Sequence, residues 1–179
     1  MKIRELTVRN FKQFNQKSIN FCDPETDLTQ NLIVLLGHNG SGKSTILQAI
    51  AMMLATATQR LSTPDKLYWP GFDLALVNVS WALPIEIELE IEFTRDEIEA
   101  TRDYFAKTSM AERNNLIEPG DSQIILLRYD SEKHRVYAQK QKEYYQFSGR
   151  RYARMIQKYI PDKSRLFQRV GDILLPKIS

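Results

Sequence analysis

The chain has 179 residues, 42% of them apolar, which is enough for one domain with its own core and needs neither disulfides nor metals. One cysteine, Cys22, excludes an intrachain bridge, and His38 and His134 are too far apart to suggest a metal cluster, so the composition fits a reducing, cytoplasmic setting. The formal charge of +3 is uneven: residues 1–125 hold 12 Lys+Arg against 17 Asp+Glu, net −5, and residues 126–179 hold 13 against 5, net +8.

The opening MKIRELTVRNFKQF alternates charged with apolar residues, which is unlike a secretory signal, and no later run is long enough to span a bilayer. Membrane attachment would need a partner. Alternation over residues 2–8 and 16–21 predicts two strands joined by the polar loop NFKQFN, followed by a loop over residues 22–31. The apolar run 31–36, NLIVLL, predicts a strand buried on both faces of a parallel sheet. Ile46, Ile50, Met53, Leu54 and Ala57 recur at helical spacing, so a helix is expected from the glycine loop to about Thr58.

Residues 59–83 read as a long connection with a short strand near 74–81. PIEIELEIEF, residues 84–93, is a strand with Ile85, Ile87, Leu89, Ile91 and Phe93 on one face and four glutamates on the other. That regular alternation marks a solvated face and not a pair of catalytic carboxylates. Thr94 and Glu97 have capping-box spacing, so a helix should start there, and Ser109 with Glu112 repeats the signature. EPGDS, residues 118–122, breaks the chain; residues 123–129 and 134–139 form an expected hairpin across DSEK. Two helices, 148–159 and 164–175, are predicted on either side of Pro161. Together these elements predict one α/β domain over residues 1–179, a P-loop fold whose mixed sheet has an antiparallel portion.

GHNGSGKS, residues 37–44, has the spacing Gly, four free positions, Gly, Lys, Ser of a phosphate-binding loop. Gly37, Gly40 and Gly42 let the backbone curl so that successive N–H groups face an anion, and the helix that follows adds its positive end. Lys43 is the expected catalytic residue, reaching the β and γ phosphates of ATP. Ser44 offers a hydroxyl to Mg²⁺, and Thr45 is placed to touch the α phosphate. His38 is a rim position; Asn39 either holds the loop or meets the γ phosphate, and Gly40, Ser41 and Gly42 supply backbone to the same site. GTPase motifs of the Asp-x-x-Gly and Asn-Lys-x-Asp types do not occur. A strand-terminal acid for Mg²⁺ is sought in IILLRYDSE, residues 124–132, but Arg128 and Tyr129 interrupt the run before Asp130, which suits a hairpin better.

MKIRELTVRNFKQF, SINF and NLIVLLGHNGSGKSTILQAIAMML closely resemble the opening of the ABC-type ATPases that include RecF, the structural-maintenance-of-chromosomes (SMC) proteins, double-strand-break repair ATPases and OLD-type defence ATPases. The resemblance is specific over residues 1–54, looser through YWPGFD and PIEIELEIEF, and weak beyond. It implies a RecF/SMC-like head lobe in which Asn10 and Phe11 match the family's Asn-Phe, and Lys12 and Gln13 match positions that often touch phosphate or ribose; Phe11 also reads as a core plug. It makes Gln168, in LFQRVGDILL, a candidate for the glutamine that senses Mg²⁺, in competition with Gln139, Gln141 and Gln146. The family's signature sequence, acid pair and switch histidine are not recognisable, and FSGRR at 147–151 reads as a helix cap. The chain therefore resembles the N-terminal piece of a longer ATPase, whose hydrolysis would require its own C-terminal lobe and a second head in a homodimer. DNA is a candidate partner of the basic C-terminal stretch, through Arg150, Arg151 and Arg154, although a solvated helix face explains the same charges. The alternatives are a small kinase, with those arginines as a phosphate clamp and Asp73 or Asp130 activating an acceptor, and a non-enzymatic nucleotide-binding module.

Overall fold

The computed structural model describes residues 1–58, 60–73, 83–107 and 121–139. Five strands, β1 (Lys2–Phe11), β2 (Phe14–Asn20), β3 (Glu86–Glu92), β4 (Ile124–Asp130) and β5 (Arg135–Ala138), form one sheet in the order β2-β1-β3-β4-β5, antiparallel throughout. Helices α1 (Lys43–Ala57) and α2 (Arg95–Lys107) accompany it, with a single 3₁₀ turn at Pro64–Lys66.

The period-two pattern sends one face of the sheet inward. Leu6 and Val8 of β1 stand opposite Leu89 and Ile87 of β3, whose Leu89 and Ile91 meet Leu127 and Ile125 of β4, so the apolar rows run in register across the sheet. All of these side chains are buried, and Ile46, Ala49, Met53 and Ala57 of α1 join them in the same cluster. At about 25 cal/mol per Å² of apolar surface removed from water, this shared face is the main stabilising contribution of the fold.

The outward face carries the four glutamates, each with a basic partner. Glu86 pairs with Arg9 at 2.6 Å and Glu88 with Arg128 at 2.9 Å, both directly across from their partners in the register. Glu90 and Glu92 share Arg4, at 3.0 and 3.7 Å, and Arg4 also reaches Asp27 at 2.8 Å. A register shift between Ile3 and Glu5 leaves Arg4 as the extra residue, and this bulge re-aims its guanidinium at three carboxylates. The glutamate stripe faces outward as the alternation predicts, but instead of a simply solvated face it is a set of partly exposed ion pairs with arginines of the neighbouring strands.

The capping box is present: Glu97 N–H donates to Thr94 Oγ1 at 3.3 Å, and Thr94 N–H donates to Glu97 Oε2 at 2.8 Å. Thr94→Ala is expected to cost about 1 kcal/mol in urea unfolding, the usual worth of an N-cap hydroxyl. The hairpin across residues 131–134 is also as expected.

Two expectations are corrected. The loop NFKQFN shrinks to Lys12 and Gln13, because β1 continues to Phe11 and pairs it with Phe14. Residues 31–36 form no regular element and belong to no ladder, and Leu32 and Leu36 are 80% and 88% exposed instead of buried. The five ladder strands pair with one another without this run, and among the described residues no strand pairs with it. The predicted strand at 74–81, the second capping signature at 109–112 and both helices after residue 147 lie outside the described residues. Among the described residues no helix is long and apolar enough to cross a membrane.

Candidate functional site

Residues 37–42 carry the chain from the apolar run 31–36 into α1. Ser41 N–H donates to His38 O at 3.2 Å, closing a turn, and Ile46 N–H donates to Gly42 O at 3.0 Å as the first helical bond. Gly40 and Gly42 have φ of 81° and 92°, the left-handed region that favours glycine. At Gly42 a methyl group would also run into the Phe14 ring and lie 2.7 Å from Gln13 Nε2. No side chain caps α1. The first N–H groups of the helix, from Lys43 onward, thus have no intrahelical acceptor and sit at its positive end, a ready anion site.

Lys43 Nζ donates to Gly37 O at 2.7 Å and His38 O at 2.8 Å, with Ser41 Oγ at 3.5 Å. These acceptors are neutral, so the loop carries an ammonium whose charge no carboxylate among the described residues balances. The Ser44 side chain is exposed, and its hydroxyl has no hydrogen bond to the described residues, which leaves a hard oxygen free for a cation such as Mg²⁺. An uncompensated ammonium, open N–H groups and a free hydroxyl within one helical turn are groups that can donate to a polyanion and offer an oxygen to a hard cation. His38, Asn39, Gly40 and Ser41 lie exposed along the rim.

The β1–β2 turn is locked onto this loop. Thr45 is buried, and its Oγ1 donates to Gln13 Oε1 at 2.9 Å. Lys12 Nζ donates to Gln48 Oε1 at 2.6 Å and Gly71 O at 2.7 Å, and it lies 5.6 Å from the centre of the Phe72 ring. Asn10 Nδ2 donates to Pro84 O at 3.0 Å, and Phe11 is a fully buried plug. The structure therefore brings Lys12, Gln13, Lys43, Ser44 and Thr45 together, with Lys12 and Gln13 bonded to protein groups. Sequence reasoning missed Gln48, whose signal is a polar side chain on the apolar face of α1, 2% exposed.

Other candidates stand apart. Asp130 Oδ1 accepts from Glu132 N–H at 3.1 Å and Lys133 N–H at 2.9 Å, so this acid shapes the β4–β5 turn. The Lys133 N–H bond is the main reason its carboxyl is held below the usual aspartate range. Gln139 is exposed just after β5, and Asp73 is exposed beyond the Trp69–Phe72 turn. Gln168, Gln141, Gln146, Arg150, Arg151 and Arg154 lie outside the described residues. Among the described residues no three His, Cys, Asp or Glu side chains are grouped to hold a metal.

Comparison with known proteins adds the following. Residues 1–169 match the model of the AAA ATPase domain family. The DNA replication and repair protein RecF of Lactococcus lactis subsp. cremoris is 32% identical over 94 residues, covering 50% of this chain and 24% of RecF. RecF of Streptococcus uberis is 31% identical over 94 residues with the same shares. The chain thus spans about a quarter of the length of the curated relatives it matches. A solved structure from work on ATP-driven dimerisation and DNA-stimulated activation of SMC ATPases shares 18% identity, covering 82% of this chain and 77% of that one, with a TM-score of 0.44.

Proposed function

The chain belongs to the AAA ATPase domain family, and from that premise we propose that it is the N-terminal nucleotide-binding lobe of a RecF/SMC-like ATPase. In this reading ATP·Mg²⁺ binds at the glycine loop. Gly40, Ser41 and Gly42 wrap the phosphates with backbone N–H groups, His38 and Asn39 border them, and Lys43 turns its ammonium from the loop carbonyls to the β and γ phosphates. Ser44 holds Mg²⁺ and Thr45 supports the α phosphate, with Lys12 and Gln13 bordering the nucleotide from the hairpin turn.

The observation that carries the reading is a glycine loop at a helix N-terminus, whose lysine has no charged partner among the described residues, next to exposed apolar side chains. Lys43 is held by neutral acceptors, and in the apolar run that feeds the loop Leu32, Ile33, Val34 and Leu36 are open to solvent while Leu35 packs against the core. A C-terminal segment that covers this run and delivers a carboxylate to Mg²⁺ would bury exposed leucines and complete the catalytic set together. A second head closing on the γ phosphate would make nucleotide a switch between separated and joined states. Gln168 is the proposed Mg²⁺-sensing glutamine. Work on DNA, in repair, maintenance or defence, in the cytoplasm is the biological setting this proposal favours.

The test is turnover by the 179-residue chain alone. It should bind ATP in the presence of Mg²⁺ without multiple turnover. ATP hydrolysis at ordinary enzyme rates by the monomer, abolished by Lys43→Ala, would show that the lobe is catalytically self-sufficient and overturn the proposal.

A further inference from the structure

Residues 69–72, Trp-Pro-Gly-Phe, form a tight turn in which Phe72 N–H donates to Trp69 O at 2.9 Å. Pro70 in the second position and Gly71 at φ 73° in the third have the residues and the sign of a type II turn. Both carbonyls at its tip are held from the nucleotide-loop side. Pro70 O accepts from Gln48 Nε2 at 3.4 Å, and Gly71 O accepts from Lys12 Nζ. Gln48 Oε1 also accepts from Lys12, so one amide and one ammonium clamp the turn to α1.

The clamp is electrostatically unfinished. Lys12 is partly buried and makes no ion pair with the described residues, and burial pushes its pKa below the ordinary lysine value. Its own backbone sits at φ 51°, in the left-handed region that non-glycine residues rarely adopt. Gln48 lies four residues beyond Ser44, about 6 Å of helical rise from the proposed phosphate site. The turn that carries Lys12 is closed by the Phe11–Phe14 pairing, and the neighbouring Gln13 side chain is bonded to Thr45 of α1, so the Lys12 side chain is the part free to move.

We propose that Lys12 and Gln48 make the Trp69–Phe72 turn responsive to nucleotide: phosphates in the loop draw the Lys12 ammonium from Gly71 O and Gln48 Oε1, and the turn is released. A phosphate oxygen offers the ammonium the attraction of an opposite charge as well as a hydrogen bond, whereas the Gly71 and Gln48 carbonyl oxygens offer the hydrogen bond alone, which sets the direction of the exchange. The turn follows directly on Tyr68, which is 84% exposed, so its release alters an aromatic surface that a partner can read. This inference rests on the nucleotide reading of the loop.

Tryptophan fluorescence tests it, because the chain has two tryptophans and Trp69 packs against the core edge. In full-length Trp81→Phe protein, saturating ATP·Mg²⁺ should red-shift Trp69 emission and raise its acrylamide quenching; Trp69→Phe in the native background should lose the shift. Lys12→Met should start in the shifted state and not respond further. Gln48→Glu, which gives Lys12 a carboxylate and pins it to the turn, should bind ATP by calorimetry without the shift. ATP binding by the Trp81→Phe protein with no Trp69 response, or a full response in Gln48→Glu, overturns the latch. Absence of ATP binding by calorimetry would instead remove the nucleotide reading, and the latch with it.

Discussion

Lys43→Ala is expected to weaken ATP binding about a hundredfold while moving the melting temperature by no more than about 2 °C. The ammonium makes two short bonds to Gly37 O and His38 O. In the nucleotide complex these pass to phosphate oxygens, and two charge-assisted bonds at about 1.5 kcal/mol each give roughly 3 kcal/mol, or two powers of ten in affinity. Without ligand the lysine serves only its own exposed loop, where a lost surface contact costs about 0.5 kcal/mol or less. Calorimetric titration with ATP·Mg²⁺ alongside thermal unfolding separates the two effects. Unchanged affinity would mean that the ammonium remains on its carbonyls and does not meet the phosphates.

The features legible in the sequence are those in which chemistry and spacing repeat locally. β3 could be read because Ile87, Leu89 and Ile91 alternate with glutamates, and burial alternates with them. Thr94 and Glu97 sit three apart and cap α2 as that spacing requires. The glycine loop could be read because each of its positions has one physical task.

Features that depend on distant neighbours were not legible. The apolar run 31–36 reads as buried, yet burial needs flanking strands that the described residues do not supply. The bulge at Arg4 leaves only a faint trace, two successive polar residues, Arg4 and Glu5, between Ile3 and Leu6, and it takes the pairing with β3 to show that they mark a register shift. Gln48 and Gly71 lie 36 and 59 residues from Lys12, and nothing local in α1 announces that its one buried amide completes a clamp. Lys12 and Gln13 illustrate both cases: the resemblance brought them to the loop, but their partners emerged only from the fold.

Gly42→Ala is expected to be the most damaging single methyl in the site, at about 3 kcal/mol of stability or roughly 10 °C in melting temperature. Two costs combine. Alanine at φ 92° pays roughly 1 kcal/mol for the left-handed conformation, and the new methyl overpacks the Phe14 ring and Gln13 amide for about 2 kcal/mol more. Gly40→Ala isolates the first cost, because at φ 81° its methyl would meet nothing within 4 Å, and about 1 kcal/mol is expected. The second cost belongs to the contact with the hairpin turn, so Phe14→Ala should be partly compensated by Gly42→Ala. A double-mutant cycle should give a coupling of about 1 kcal/mol or more between them. Equal destabilisation by the two glycine substitutions, with additive behaviour at Phe14, would show that backbone conformation alone fixes Gly42 and that the turn does not brace the loop. Because α1 starts at Lys43 directly after this residue, displacing Gly42 also tilts the first N–H groups, and ATP binding should fall with stability in Gly42→Ala.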